Sequence, residues 1–347
     1  MRILLHMGQG KTGTTALQQA LHGARAGLAQ AGVFYPAFGG TEFTHHLLLA
    51  LVEDPARLPA AYLAARGGAE AVVERAWQAW NRACARVRVD RPAVLVLSSE
   101  FLIQHTGGPA KRRLCGLLSE LSDDISPILY IRHSVEHFRS RLQEWLKVEK
   151  RPLPPLREAL RDAISDTEAA FGRPVVLRPY DRRVLAGGDI AADFAASFLC
   201  GHAPPDSLTG SIVNPGLSAE ALVLMFRLRA AAGATVEAAR QVACLIRPLT
   251  DLDREDPPEL PLTLHPGVAA AVLRSSDCHR WLCQTGRLAI PGMDPAQIDG
   301  APLPGWLLAA PPDRLFPHDP QRLNRLAGRL RSLCPGLMDG LSCNPSE

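Results

Sequence analysis

Charge of one sign is the first thing this sequence lacks: 38 Lys and Arg stand against 35 Asp and Glu, a net of +3 over 347 residues. Proteins that hold nucleic acid carry a strongly basic domain. The balance here gives no such whole-molecule argument, so no nucleic-acid partner is expected and any anion site must be local. Long hydrophobic runs are missing too. No apolar stretch reaches the roughly 18 residues a membrane span needs. The run after Arg2 enters a glycine loop too early for a signal peptide. With 47% hydrophobic and 21% charged residues, the composition is that of a globular protein, and the expected location is cytoplasmic. The eight cysteines include no C-x-x-C pair. Cys278-His279 with Cys283 comes nearest, but that spacing suits one helix and no second pair completes four ligands. The cysteines therefore read as reduced, and no metal is expected. There is no internal repeat and no low-complexity tract.

What is present is a pattern of buried strands between helices. Apolar runs recur at Ile3 to His6, Gly32 to Pro36, Ala93 to Ser98, Pro127 to Arg132 and Pro174 to Pro179. Runs such as Ala93-Val94-Leu95-Val96-Leu97 do not alternate, which marks strands covered on both faces in a parallel sheet. Helical patterns at 12–31, 68–88, 109–122, 134–149 and 155–171 separate them. This alternation predicts an α/β fold: an open parallel sheet flanked by helices, with ligands beyond the carboxyl ends of the strands. The expected core is 1–200. The character turns helical after residue 190, with a helix at 191–199, and residues 201–347 read as a mostly helical and loop-rich extension of the same domain, with helices at 218–232, 236–246 and 268–284. A break is expected from Asp251 to Pro261, and a long loop over 291–320. The last helix carries Arg322, Arg325, Arg329 and Arg331, which read as a solvated face.

The chemistry concentrates at His6-Met7-Gly8-Gln9-Gly10-Lys11-Thr12-Gly13-Thr14-Thr15. A strand, a loop of glycines with one lysine, and a helix in that order build an anion cradle. The glycines permit φ > 0, and the first helical turn presents free N–H groups. Gly10-Lys11-Thr12 resembles the end of a triphosphate loop, G-x-x-x-x-G-K-[ST], but Leu5 stands where that pattern needs its first glycine.

The K-[ST]-G-T-T form instead resembles the phosphosulfate loop of the sulfotransferases that use 3′-phosphoadenosine 5′-phosphosulfate (PAPS), in particular the bacterial and glycan-type members. A second match follows. Arg132 ends a strand and Ser140 lies eight residues on, similar to that family's 3′-phosphate motif. In bacterial-type members the helix reads S-x-Y-x-Q-x-x-K. Here Ser140 and Lys147 fit, Leu142 and Glu144 replace the aromatic and the glutamine, and Ser134 stands where a proline often follows the arginine. The resemblance covers about residues 1–200.

The resemblance implies a P-loop-type fold and a sulfuryl transfer from PAPS to a hydroxyl or amine acceptor. Lys11 would act on the leaving phosphate and Glu100, after the strand ending at Ser98, as general base. Gly10, Thr12, Gly13, Thr14 and Thr15 would line the 5′-phosphate, Arg132 and Ser140 the 3′-phosphate, and Tyr180 the adenine. His6, His45 and His46 are rivals for the base or contacts for the acceptor, with His45-His46 expected on a helix. Two alternatives remain: a P-loop small-molecule kinase, which needs Mg²⁺ and an aspartate at a strand end, and a nucleotide-binding protein without catalysis. Asp181 follows the last strand and is the kinase reading's one candidate.

Overall fold

Val94 to Ser98 and Ile125 to Ile131 are buried at every residue, as continuous Val/Ile/Leu runs require. In the computed structural model, which describes residues 1–39, 43–148, 160–202, 208, 216–232 and 236–335, these two segments join three others in one sheet. The five strands are β1 (Arg2–His6), β2 (Val33–Phe34), β3 (Val94–Ser98), β4 (Ile125–Ile131) and β5 (Val176–Pro179). The order is β2-β3-β1-β4-β5, and every pairing is parallel. The first strand is therefore central. Its register runs from Arg2↔Val94 to His6↔Ser98 on one side and from Ile3↔Ile125 to His6↔Ile128 on the other. The carboxyl ends of β1, β3 and β4 thus share one rim.

The longer helices of the first 200 residues are α1 (Thr14–Gly23), α2 (Ala69–Asp90), α3 (Gly108–Ser119), α4 (Ser134–Val148), α5 (Leu160–Phe171) and α6 (Ile190–Phe198). In α1, Leu17, Ala20 and Leu21 recur at helical spacing and pack with Phe194 and Ala191 of α6 on Leu4, Val96, Ile128 and Tyr130. Those four strand residues lie on one face by the two-residue period. The helix expected over 12–31 begins only at Thr14, because Lys11 and Gly13 adopt left-handed φ of 71° and 73°. It breaks at Ala24, and a second piece runs Arg25–Gln30. The expected helical residues 155–159 lie outside the described residues.

The chain divides into two compact units. One comprises Met1–His133, Glu158–Val213 and Trp281–Met293 and holds the sheet; the other comprises Ser134–Arg157, Asn214–Arg280 and Asp294–Glu347. The second unit is helical, built with α4, α7 (Ala219–Ala231), α8 (Ile246–Glu255) and α9 (Pro320–Leu333). Leu222, Met225, Leu228, Leu249, Leu326 and Leu330 are fully buried in its core.

Several expectations for this region need correction. The break placed at Asp251 begins only after Glu255, because Pro257-Pro258 end the helix there and Asp253 is held inside by Arg322. The helix expected over 268–284 is two, Pro266–Arg274 and Asp277–Gln284, and the segment 291–320 contains short helices at Gly305–Ala309 and Pro312–Leu315. The arginine stripe is not uniformly solvated. Arg322 is 2% exposed and bonds Glu220 Oε2 and Asp253 Oδ1 at 2.6 Å each, while Arg325 and Arg329 pair with Asp256 and Glu255.

Among the described residues, no helix is long and apolar enough to cross a membrane.

Candidate anion and proton-transfer site

The loop 7–13 hangs from the central strand. Its shape is fixed by two residues with unusual backbone. Gly13 at φ 73° caps α1, and a Cβ there would meet the Tyr180 ring at 2.9 Å. Lys11 adopts φ 71° with a side chain attached, a conformation that costs an L-residue roughly 1–2 kcal/mol. The Thr12 side chain is fully buried and donates to the Gln9 carbonyl at 2.6 Å, so its hydroxyl proton is committed to the loop and not to a ligand. Thr14 is nearly buried, and its hydroxyl has no partner among the described residues. Thr15 is exposed. The N–H groups of the first turn of α1 have no intrahelical acceptors and sit at the positive end of the helix dipole. Gly10 lies against Gln104, whose amide a Cβ would meet at 2.6 Å.

Arg132 follows β4 directly. Its Nη1 donates to the Lys11 carbonyl at 3.1 Å, and its backbone N–H donates to Gln9 Oε1 at 3.3 Å. The guanidinium lies 5.6 Å from the Tyr180 ring centroid. Tyr180 is itself placed by its N–H, which donates to the Ile131 carbonyl and extends the β4–β5 ladder. Lys11, Gly13, Arg132 and Tyr180 are therefore brought together at the rim. Ser140 lies on α4, part-exposed, in the second unit. The side chain of Lys147 lies outside the described residues.

A second cluster stands beyond β3. Glu100 occupies the N-cap position of the short helix Phe101–Gln104, yet its carboxylate makes no cap bond. One oxygen, Oε2, accepts from Gln18 Nε2 of α1 at 3.3 Å, and Oε1 lies 3.6 Å from His46 Nε2. His46 Nδ1 is 2.8 Å from Ser99 Oγ, and its ring stacks on Phe101 with centroids 4.1 Å apart. Gln18 also donates to Ser98 Oγ at 3.1 Å. This buried amide joins the helix of the cradle to the carboxylate, and it is absent from the residues that the sequence singles out. One signal was there: Gln18 falls four residues after Thr14 and three before Leu21, on the inward face of α1.

The other two histidines do not face an acceptor, contrary to expectation, because both are fully buried. His6 bonds Ser98 Oγ through Nδ1 at 2.8 Å, and burial pushes its pKa down to about 3. His45 accepts from the Ser98 backbone N–H through Nδ1 and therefore donates from Nε2 to the Pro36 carbonyl. Burial brings it to about 3 as well, against the opposing pull of the Pro36 bond. The pair His45-His46 also precedes its helix, Leu48–Val52, instead of lying on it. Asp181, the kinase candidate, is engaged by Arg183, whose hydrogen bond holds the carboxyl below its ordinary range.

Chemically, the rim offers a cationic cradle with free backbone donors and, beyond β3, a carboxylate paired with an imidazole. No family model, curated protein or solved structure matches this chain.

Proposed function

We propose that this chain is a PAPS-dependent sulfotransferase that moves a sulfuryl group to a hydroxyl or amine acceptor. The observation that carries the reading is the convergence of Lys11, Arg132 and Tyr180 on one glycine loop, fixed by the 3.1 Å bond from Arg132 to the Lys11 carbonyl. A donor with two phosphate groups and an adenine asks for two cations and a ring at such a place. The unpartnered Thr14 hydroxyl fits an anion oxygen as acceptor, as do the free N–H groups of Gly13, Thr14 and Thr15. Gly13 lets Tyr180 close against the loop, where a Cβ would meet its ring at 2.9 Å.

In this reading Lys11 neutralises charge that develops on the leaving phosphate, the electrostatic part of catalysis. Arg132 holds the 3′-phosphate and Tyr180 borders the adenine. Ser140's part in that phosphate site rests on the sequence alone. Glu100 takes the acceptor proton, a role worth roughly 10²–10⁴-fold. The cytoplasmic location belongs to the same proposal.

A thermal-shift panel tests the donor. The product 3′-phosphoadenosine 5′-phosphate (PAP) is expected to stabilise the protein, by about 2.7 kcal/mol at a hundred times its Kd, while ATP-Mg²⁺ and GTP-Mg²⁺ do not. Stabilisation by ATP-Mg²⁺ alone would move the chain to the kinases. Transfer of labelled sulfate from PAPS, abolished by Lys11→Ala and lowered roughly 10²–10⁴-fold by Glu100→Gln, separates the enzyme from a non-catalytic binder.

A further inference from the structure

The three histidines near the rim differ in what their two ring nitrogens face, and the difference decides which can carry a proton. The Nδ1 of His45 meets a backbone N–H, that of Ser98 at 2.8 Å. An amide only donates, so this nitrogen must stay unprotonated and the ring neutral. The Nδ1 of His6 meets a hydroxyl, Ser98 Oγ at 2.8 Å, but the ring is walled in by Tyr130 and Phe194 and its buried Nε2 has no hydrogen-bond partner among the described residues. The Nδ1 of His46 meets a hydroxyl, Ser99 Oγ at 2.8 Å. A hydroxyl accepts as readily as it donates, so Ser99 holds an Nδ1–H in the neutral ring and equally in the imidazolium. The other nitrogen then turns to Glu100 Oε1 at 3.6 Å, one small side-chain adjustment from a hydrogen bond. Stacking on Phe101 at an interplanar angle of 11° keeps the ring in that plane.

We infer that Glu100 and His46 share the proton taken from the acceptor, with Ser99 as the fixed acceptor of the Nδ1–H. This rests on the sulfotransferase reading and deepens it. As the acceptor oxygen or nitrogen forms its bond to sulfur, its proton passes to Glu100. The bond from sulfur to the phosphate oxygen breaks, and its electron pair stays with the phosphate beside Lys11. The proton then lies between Glu100 Oε1 and His46 Nε2, and leaves to solvent after product release. Gln18, bonded to Oε2 at 3.3 Å, is a positioning residue that keeps the carboxylate turned to His46. Besides Glu100, the described titratable and charged groups around His46 include His45 beside it, with Arg25 and Tyr35 behind, and, across the Phe101 ring, His105 and Tyr62, the latter under Arg66.

Two measurements test the pair on the full chain. In the first, the histidine side chains are titrated by NMR with PAP bound. His46 is expected to hold its proton about tenfold more tightly in the wild type than in Glu100→Gln, and Ser99→Ala is expected to weaken it too. Equal proton affinity in wild type and Glu100→Gln overturns the shared proton. In the second, labelled PAPS reports kcat. His46→Gln is expected to lower kcat tenfold or more with the KM for PAPS within about twofold, and Glu100→Gln/His46→Gln to be no slower than Glu100→Gln. Residues acting as one unit lose activity together and not additively, so additive losses also overturn the pair. Failure of PAP to bind the wild type overturns the donor reading and with it any catalytic use of the pair. PAP binding with an uncoupled His46 overturns the pair alone.

Discussion

Lys11 holds a backbone conformation that an L side chain enters at a cost, and that conformation aims its carbonyl at Arg132. Strain of this kind persists where the surroundings over-determine it. A glycine relieves it, so Lys11→Gly is expected to melt at or above the wild-type temperature and to lose transfer, while Lys11→Ala loses transfer without any gain in stability. Differential scanning calorimetry of the two variants reads the difference. His6 and His45 give a second prediction at this scale. Both are neutral in the folded chain down to about pH 3, whereas in the unfolded chain they protonate near pH 6.5. The unfolded state therefore binds more protons between those limits. Stability is full above about pH 6.5 and falls as the pH drops toward 3, by about 1.4 kcal/mol per pH unit for each histidine. His6→Asn, which keeps a polar atom near Nδ1, is expected to flatten the slope by about one proton, measured from melting curves between pH 4 and 7.

At the scale of elements, the inner strands β1, β3 and β4 were legible because runs rich in Val, Ile and Leu fit strands covered on both faces and little else. The loop was legible because Gly8, Gly10, Lys11 and Gly13 crowd one turn. The pairing of Glu100 with His46 was not. Those residues are far apart in the chain, and their meeting depends on β2 and β3 lying side by side and on the 43–47 segment docking by its His45 onto Ser98. Nor was the fate of the arginine stripe, since a helix wheel does not reveal that α7 and α8 set Glu220 and Asp253 opposite Arg322. That ion pair network carries a prediction. Arg322 also donates to Ser218 Oγ at 2.8 Å, the residue that caps α7. Arg322→Met strands two buried carboxylates and is expected to cost about 3–5 kcal/mol in urea unfolding. Adding Glu220→Gln and Asp253→Asn is expected to recover part of that loss, because the same change then leaves no unpaired charge inside.

For the whole molecule, the chain builds its units from interleaved pieces. The sheet unit gathers three stretches, and each unit owns a separate apolar core. The rim residues Lys11, Arg132 and Tyr180, and the pair Glu100 and His46, all belong to the sheet unit. Motifs and strand ends mark that unit well in the sequence, since its contacts repeat one strand-to-helix grammar. The helical unit follows no such grammar, and its boundaries come from which apolar faces meet.

The central position of the first strand has one more consequence. Bonded to a neighbour on each edge, β1 fixes the start of the loop before any ligand arrives, and Arg132, Gln9 and Thr12 tie the rest. Little is left to fold on binding. Calorimetry of PAP binding across a range of temperatures is therefore expected to give the small negative heat-capacity change of docking onto a preformed surface. A change large enough to signal burial of about 1,000 Å² or more, by the usual area scaling for coupled folding, would mean that the cradle assembles around its guest.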